Sequence, residues 1–405
     1  MRAVLEGIKV IECTPRSYQA SVGGVLLAEL GADVIHIEEP IKGDPLRGIQ
    51  YLSGIKAVLP DGSNPLFQLG NRSKKSMTLN LKSQEGREVI YRLISKSDVF
   101  LCSLRSDATK RLGMDYSTLS QYNPTLIYAH ASGFGPKGTE SGQAVLDYVG
   151  QARSGFMHMI GEPDSTPTVF NIAIGDQVGG IMLAYGVLAA IIARERFGIG
   201  QELDASQLGS MIFLQSHGIG FFLMIGQEPP RLSRKKAPGP LWNHYQCKDG
   251  KWIAFGILQT DRHWHDFCRA LGMEDLENDP RFNTSDSRRE HREVLVSTLE
   301  SVFASKDSDE WMRSLTEKTD FPFSRINDYS DVASDPQVLL NEYIVEFDHP
   351  NMGKMRTVGY PVHLKKTPGM IRGPAAELGQ HTEEILLENG YSWDEIIQLK
   401  EQEVI

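Results

Sequence analysis

Residues 8–38 set the strongest constraint on the fold. The run I-K-V-I-E-C (8–13) is apolar enough for a buried strand, residues 21–30 read as an apolar helix closed by Gly31, and A-D-V-I-H-I-E (32–38) reads as a second strand. Strands joined through a helix run parallel, and parallel strands need cover on both faces. The expectation is an open α/β sheet with any ligand along the rim where its strands end. A glutamate closing the second strand suits a dinucleotide fold, but the loop T-P-R-S-Y-Q-A-S-V-G-G lacks the G-x-G-x-x-G spacing. The parallel sheet is therefore kept and a nicotinamide site is not.

The pattern continues with strands expected at 77–81, 98–102 and 126–131 and a helix over 84–95. From about residue 226, Q-E-P-P-R-L-S-R-K-K-A-P-G-P-L-W is rich in proline and basic residues and reads as a linker or lid. A second unit follows, with a strand at 252–255 and helices near 261–271 and 288–305. The last segment closes with a helix opened by G-Q-H-T-E-E-I-L. A chain of 405 residues calls for more than one domain. We divide it into a large N-terminal part (1–225), a small domain with its linkers (226–334) and a C-terminal return to the large domain (335–405).

Charge and cysteines narrow the function. A net charge of −10 argues against nucleic acid as the main partner, because phosphate backbones need a basic surface. Cys13, Cys102, Cys247 and Cys268 are far apart and form no C-x-x-C, so neither zinc nor a disulfide framework is implied, and a reduced cytoplasmic setting fits. His263 and His265 fall on different faces of a helix and are poor metal partners; they read as surface residues. Residues 1–11 lack the apolar core of a signal peptide, and the apolar run 178–192 is shorter than the roughly 18 residues of a membrane span, so it reads as a core helix.

The chemistry centres on residues 171–207, where Asp176 stands between Gly175 and the pair Gly179-Gly180 at the mouth of that helix. One reading is an N-cap, with the carboxylate accepting free N–H groups of the first turn. The other is a nucleophile, with glycines admitting a large substrate and N–H donors holding the developing oxyanion. Spacing alone leaves both open. Arg72, Lys74 and Lys75 precede the strand at 77–81 and read either as a solvated turn or as an anion site. Since loops at strand ends share a rim, these cations and Asp176 are expected together.

The ordered segments L-E-G-I-K-V-I-E, L-A-E-L-G-A-D-V-I-H-I-E, G-D-P-L-R-G, N-R-S-K-K-S-M-T-L-N-L-K, A-T-K-R-L-G, S-G-F-G-P-K-G, I-G-D-Q-V-G-G, G-I-G-Q-E-L-D, D-P-R-F-N, D-P-Q-V and L-G-Q-H-T-E-E resemble the class III CoA-transferases, relatives of formyl-CoA and carnitine CoA-transferases. The resemblance implies a Rossmann-like large domain with a parallel sheet, a smaller inserted α+β domain, and two subunits threaded as interlocked rings. It implies that Asp176 attacks an acyl-CoA thioester and passes through aspartyl anhydride and aspartyl-CoA thioester intermediates. Coenzyme A enters as substrate, with no permanently bound cofactor and no metal. The family's CoA contacts map onto Arg16, Tyr18, Gln19, Ala20, Arg72, Lys74, Lys75, Leu104, Arg105 and Arg111. Where the family often has an arginine after the second-strand glutamate this chain has Glu39, so one CoA contact is either missing or supplied by Lys42 or Arg47.

Leu146 and Asp147 are expected in the substrate pocket. The family's racemase branch, which includes alpha-methylacyl-CoA racemase, has a histidine directly before that aspartate. Leu146 removes one base of a two-base proton transfer, and His130 and His158 read as core or surface residues. The expected activity is thus transfer of CoA between an acyl-CoA and a carboxylic acid, with a racemase or epimerase, or one subunit of a heteromeric transferase, as alternatives. The acceptor is expected to be an aromatic or substituted acid such as phenyllactate or benzylsuccinate, with succinyl-CoA or another acyl-CoA as donor. Phe221, Phe222, Trp242 and Tyr245 line such a pocket or belong to the core. The expected partners are these substrates and a second copy of the chain, with neither nucleic acid nor membrane.

Overall fold

The computed structural model describes residues 2–405, which separate into two compact units. The larger comprises residues 2–158, 169–228 and 337–405, and the smaller comprises 159–168 and 229–336. Six strands form the sheet of the larger unit: β1 (Lys9–Cys13), β2 (Asp33–Glu38), β3 (Lys75–Thr78), β4 (Val99–Cys102), β5 (Ile127–His130) and β6 (Gln201–Asp204). Their spatial order is β3-β2-β1-β4-β5-β6 and every pairing is parallel. This is the doubly wound Rossmann order, and it reverses direction between β1 and β4, leaving a crevice beyond their C-terminal ends.

Period-two alternation supplies both faces of the sheet. On one side Ile11, Ile35, Met77, Phe100 and Tyr128 pack against α2 (Gln84–Ile94) and, near the C-terminus, Ile385, Leu386, Ile396 and Leu399. On the other, Val10, Val34, Val99, Leu101, Ile127 and Ala129 pack against α1 (Tyr18–Glu29) and α4 (Ile174–Phe197). Each fully buried aliphatic or aromatic side chain here is worth roughly 1.5–3 kcal/mol. Ser17 caps α1 by accepting the Ala20 N–H, and Gly31 turns the chain at φ +108° towards β2.

Helix α4 is 24 residues long, longer than the apolar run that announces it, and by length and composition it is able to cross a membrane. Its buried side, with Gly179, Gly180, Leu183, Val187 and Ile191, lies on the sheet and α1, as expected of a core helix. The opposite side leaves Ile181, Tyr185 and Ile192 about half exposed. Helix α1 and α4 meet through glycine: a Cβ on Gly180 would stand 2.6 Å from the Gln19 carbonyl oxygen, and one on Gly179 2.7 Å from the Gln19 side chain. Two backbones can approach this closely only where side chains are missing.

Within the smaller unit, three antiparallel strands, β7 (His244–Gln246), β8 (Trp252–Phe255) and β9 (Phe323–Ile326), pack with helices over Thr260–Leu271, Arg292–Phe303 and Ser308–Lys318. Tyr245, Phe267, Phe303 and Trp311 are fully buried at its centre. Tyr245 is therefore a core residue, whereas Trp242 is 55% exposed. Phe221 and Phe222 in the larger unit lie on a helix, Ser216–Ile225, that has no buried residue.

Candidate functional site

The segments that follow β1, β5 and β6 and the N-terminus of α4 bring six side chains into one neighbourhood: Tyr18, Gln19, Asp147, Asp176, Gln177 and Gln207. Asp176 is the third residue of α4, not its cap. The cap position is Ala173, in the left-handed region at φ 53°, and it makes no side-chain cap bond. The capping role belongs to Asp147, at the start of α3 (Asp147–Arg153), whose Oδ1 accepts the N–H of Gly175 at 2.6 Å and of Asp176 at 3.3 Å. A carboxylate from a neighbouring helix thus satisfies the orphan donors and suits the positive helix end. The Asp176 side chain is released from capping.

Its Oδ1 accepts a 2.7 Å hydrogen bond from Nε2 of Gln207, the first residue of α5 (Gln207–Leu214). Burial, followed by the Asp147 carboxylate alongside, pushes the Asp176 carboxyl from the usual 3.8 up to about 7, while the Gln207 bond pulls it down. Such a group is divided between acid and anion near neutral pH, and a partly dehydrated carboxylate beside a fixed donor is equipped for nucleophilic or proton-transfer chemistry. Where the start of α1 packs on α4, Gln177 Nε2 reaches the Tyr18 hydroxyl at 3.5 Å, and Gln19 Nε2 donates to the Ala205 carbonyl at 2.8 Å. Ala20 is buried in α1 beneath them. Leu146, directly before Asp147, is 67% exposed.

The residues on the loop after β1 and the residues after β4 flank the crevice. Arg16 is exposed, adopts φ 64°, and donates its backbone N–H to Asp44 at 3.2 Å. Leu104 is partly buried, and its carbonyl accepts from His130 Nε2 at 2.8 Å. Arg105 is exposed at the start of the helix Ser106–Leu112, and Arg111 near its end is 70% exposed with Asp107 at 4.0 Å.

Arg72, Lys74 and Lys75 are all engaged by the protein's own acids. Lys75 opens β3, which runs parallel to β2, and it meets acids near the edge of the sheet where these strands begin. Lys75 lies 3.6 Å from Asp33, the first residue of β2, and 3.0 Å from Glu384. Arg72 is buried against Glu29 at 2.5 Å and Thr357 at 3.1 Å. Lys74 is 5% exposed, with its ammonium 2.8 Å from Glu12 and bonded to Asn71 and the Ser21 carbonyl. Neither of the alternatives open from charge alone, a solvated turn or an anion site, describes Lys74, which belongs to a buried ionic cluster.

That cluster also holds His36, 3.0 Å from Glu12 and 3.3 Å from Asp44. Burial pushes the Glu12 carboxyl up, but Lys74 and His36 outweigh it and hold it at about 2. Burial pushes His36 down, but Asp44 and Glu12 lift it to about 9. Of the two substitutes for the missing second-strand arginine, Arg47 is bound by Glu38 at 2.7 Å and stacked on Phe67, while Lys42 is exposed.

The two histidines are occupied elsewhere. His130 lies 2.8 Å from Asp204; burial opposes its charging, but Asp204 and the Leu104 carbonyl raise its pKa above the ordinary value. His158 is exposed and 3.4 Å from Glu228. Gln207 is a site residue that the sequence does not announce. It closes the stretch 171–207, but an amide in the first turn of an ordinary helix carries no signal until the fold sets it against Asp176.

The family model described as CoA-transferase family III matches residues 5–382. The chain is 33% identical to the (R)-2-hydroxy-4-methylpentanoate CoA-transferase of Clostridioides difficile over 99% of both sequences. It is 29% identical to the cinnamoyl-CoA:phenyllactate CoA-transferase of Clostridium sporogenes, over 99% of this chain and 97% of that protein. Among solved structures, a CAIB/BAIF family protein from Brucella suis superposes with a TM-score of 0.84 at 27% identity, covering 96% of this chain and all of that one. With its parallel sheet, its carboxylate at the head of α4 and a family match along nearly the whole sequence, the chain belongs to CoA-transferase family III, an enzyme family that uses CoA thioesters as substrates.

Proposed function

We propose that this enzyme moves CoA from an acyl-CoA to a free carboxylic acid by covalent catalysis on Asp176. The observation that carries the reading is the arrangement of Asp176 itself: Oδ1 held by Gln207, the helix donors taken by Asp147, and the second oxygen left for attack. Asp176 attacks the donor thioester to give a mixed anhydride and CoA thiolate. The thiolate attacks the aspartyl carbonyl, giving an aspartyl-CoA thioester and the free donor acid. The acceptor carboxylate displaces the thiolate to form a second anhydride, and returning thiolate attacks the acceptor's carbonyl to release the new acyl-CoA. Each step exchanges one activated acyl group for another.

The anionic parts of CoA meet exposed cations at the β1/β4 crevice, with Arg16, Arg105, Arg111 and Lys42 in place of Arg72, Lys74 and Lys75, which the fold uses for itself. Tyr18, Gln19, Ala20 and Leu104 form the walls. The acceptor we favour is a 2-hydroxy acid with an apolar branched or aromatic side chain, as in the names of two relatives. Leu146 faces it as an exposed apolar residue beside Asp147. The racemase reading loses support because His130 is engaged by Asp204 and Leu104. A second copy of the chain would cover the exposed side of α4 and the helix Ser216–Ile225, where Leu223 and Met224 are 75% and 87% exposed.

The test is to incubate the protein with acyl-CoAs, treat with hydroxylamine or borohydride, and locate the mass change by peptide mapping. The adduct is expected on the Asp176 peptide. Transfer by the wild type without such an adduct, together with turnover by Asp176→Ala, would falsify the covalent mechanism. Sedimentation of the purified chain reports the assembly, and a panel of 2-hydroxy acids alongside benzylsuccinate reports the acceptor class.

A further inference from the structure

We propose that Gln207 is a catalytic residue: its side-chain amide donates the hydrogen bond that stabilises the oxyanion formed on Asp176 Oδ1 whenever a nucleophile attacks the aspartyl carbonyl carbon. The inference rests on the covalent reading of Asp176.

Two steps of that reaction take place at Cγ of Asp176. When CoA thiolate attacks the mixed anhydride, an S–Cγ bond forms and the Cγ=Oδ1 electron pair moves onto Oδ1. The pair returns as the Cγ–Oδ2 bond breaks, and Oδ2 leaves within the donor carboxylate. When the acceptor carboxylate attacks the aspartyl thioester, an O–Cγ bond forms, the charge again rests on Oδ1, and thiolate departs as the S–Cγ bond breaks. Both tetrahedral species need a donor already aimed at Oδ1.

At a helix start the obvious donors are the backbone N–H groups. Here those of Gly175 and Asp176 both point to Asp147 Oδ1, at 2.6 and 3.3 Å. Gln207 Nε2, 2.7 Å from Oδ1, is the side-chain donor bonded to Asp176 among the described residues. Its position is fixed from several sides. Gln207 is 2% exposed, its backbone N–H donates to the Ser132 carbonyl at 2.9 Å, and Ser206 caps the helix it begins.

Two glycines shape its slot: a Cβ on Gly150 would stand 2.2 Å from Gln207 Oε1, and one on Gly175 would stand 3.3 Å from its Cγ. The amide is also incompletely satisfied. Oε1 is buried and makes no hydrogen bond, which is an expensive arrangement for a side chain that only fills space. A preset, dehydrated donor is what an oxyanion requires, because it costs no reorganisation when charge develops.

The experiment follows formation of the Asp176–CoA thioester by rapid quench and peptide mass, using a saturating acyl-CoA donor without acceptor, from about pH 6.5 to about pH 9. In Gln207→Leu the thioester is expected to form about 10²–10³-fold more slowly than in the wild type, with the deficit persisting at high pH, where the carboxylate is ionised with or without the amide. Gly150→Ala, whose methyl group invades the amide's slot, is expected to show the same persistent deficit to a smaller extent. A Gln207→Leu enzyme that forms thioester at the wild-type rate at high pH would make the amide a pKa-setting group alone and overturn the proposal. If that variant does not fold, Gln207→Met and Gly150→Ala carry the test, and wild-type rates in both overturn it. A wild-type enzyme that transfers CoA yet never labels Asp176 removes the covalent reading, and this inference with it.

Discussion

Asp176→Asn is expected to stabilise the protein in a pH-dependent way, because the wild-type carboxylate is held where its charge is disfavoured. Burial and Asp147 raise the carboxyl from 3.8 to about 7, so the folded chain binds this proton more tightly than the unfolded chain does. Below the unfolded value both states are protonated and there is no penalty. The penalty grows as pH rises from the unfolded to the folded value, and it is constant above that. At about 1.4 kcal/mol per pH unit the full effect is about 4 kcal/mol, of which about 2–3 kcal/mol accrues between about pH 5 and pH 7.

Asparagine keeps an Oδ1 to accept from Gln207 and carries no charge, so it removes this penalty with little change of shape. Urea unfolding of wild type and variant at about pH 5 and about pH 8 measures it, with far-UV dichroism recording the larger unit's transition. The variant should gain about 2–3 kcal/mol more over the wild type at the higher pH than at the lower. Equal gains at both pH values, or a variant less stable at pH 8, would show that Asp176 ionises freely and that the site is not dehydrated.

Three further outcomes follow from the same geometry. The acid limb of kcat/KM should carry an apparent pKa near 7, and Asp147→Asn, which keeps an acceptor for the Gly175 N–H, should move that limb to lower pH; an unmoved limb would remove Asp147 as a cause. Gly180→Ala places a methyl carbon 2.6 Å from the Gln19 backbone oxygen, so α1 and α4 must part, with a loss of about 1–3 kcal/mol in denaturant unfolding and weaker substrate binding read as a raised KM. Lys74→Met leaves Glu12 buried with only His36 to balance it and should cost about 3 kcal/mol in denaturant unfolding; a lysine that served only to hold CoA would, when replaced, raise KM and spare stability.

The fate of those cations shows where sequence reasoning stops. N-R-S-K-K-S is visibly basic, but whether a basic run meets a ligand or the protein's own carboxylates depends on which acids the packing sets beside it. Glu12 of β1 takes Lys74 and Glu29 of α1 takes Arg72, although each acid is more than 40 residues away in the chain. Strand β6 is hidden in the sequence for a related reason. Q-E-L-D has one apolar residue in four, and it is a strand because the open side of β5 pairs with it at the sheet edge. The segment 159–168, which belongs with the smaller unit, carries no compositional mark at all.

By itself the sequence determined the parallel α/β architecture, because apolar strands alternating with a helix have few other ways to bury both faces. It also singled out Asp176, an acid flanked by glycines at the head of an apolar helix, and left its role open between cap and nucleophile. Tertiary structure decided what that acid is free to do. Asp147 comes from a different helix to take the capping bonds, and Gln207 comes from another to hold one oxygen. Hydrogen-bond partners 29 and 31 residues away in the chain are brought together by packing, which local pattern does not encode.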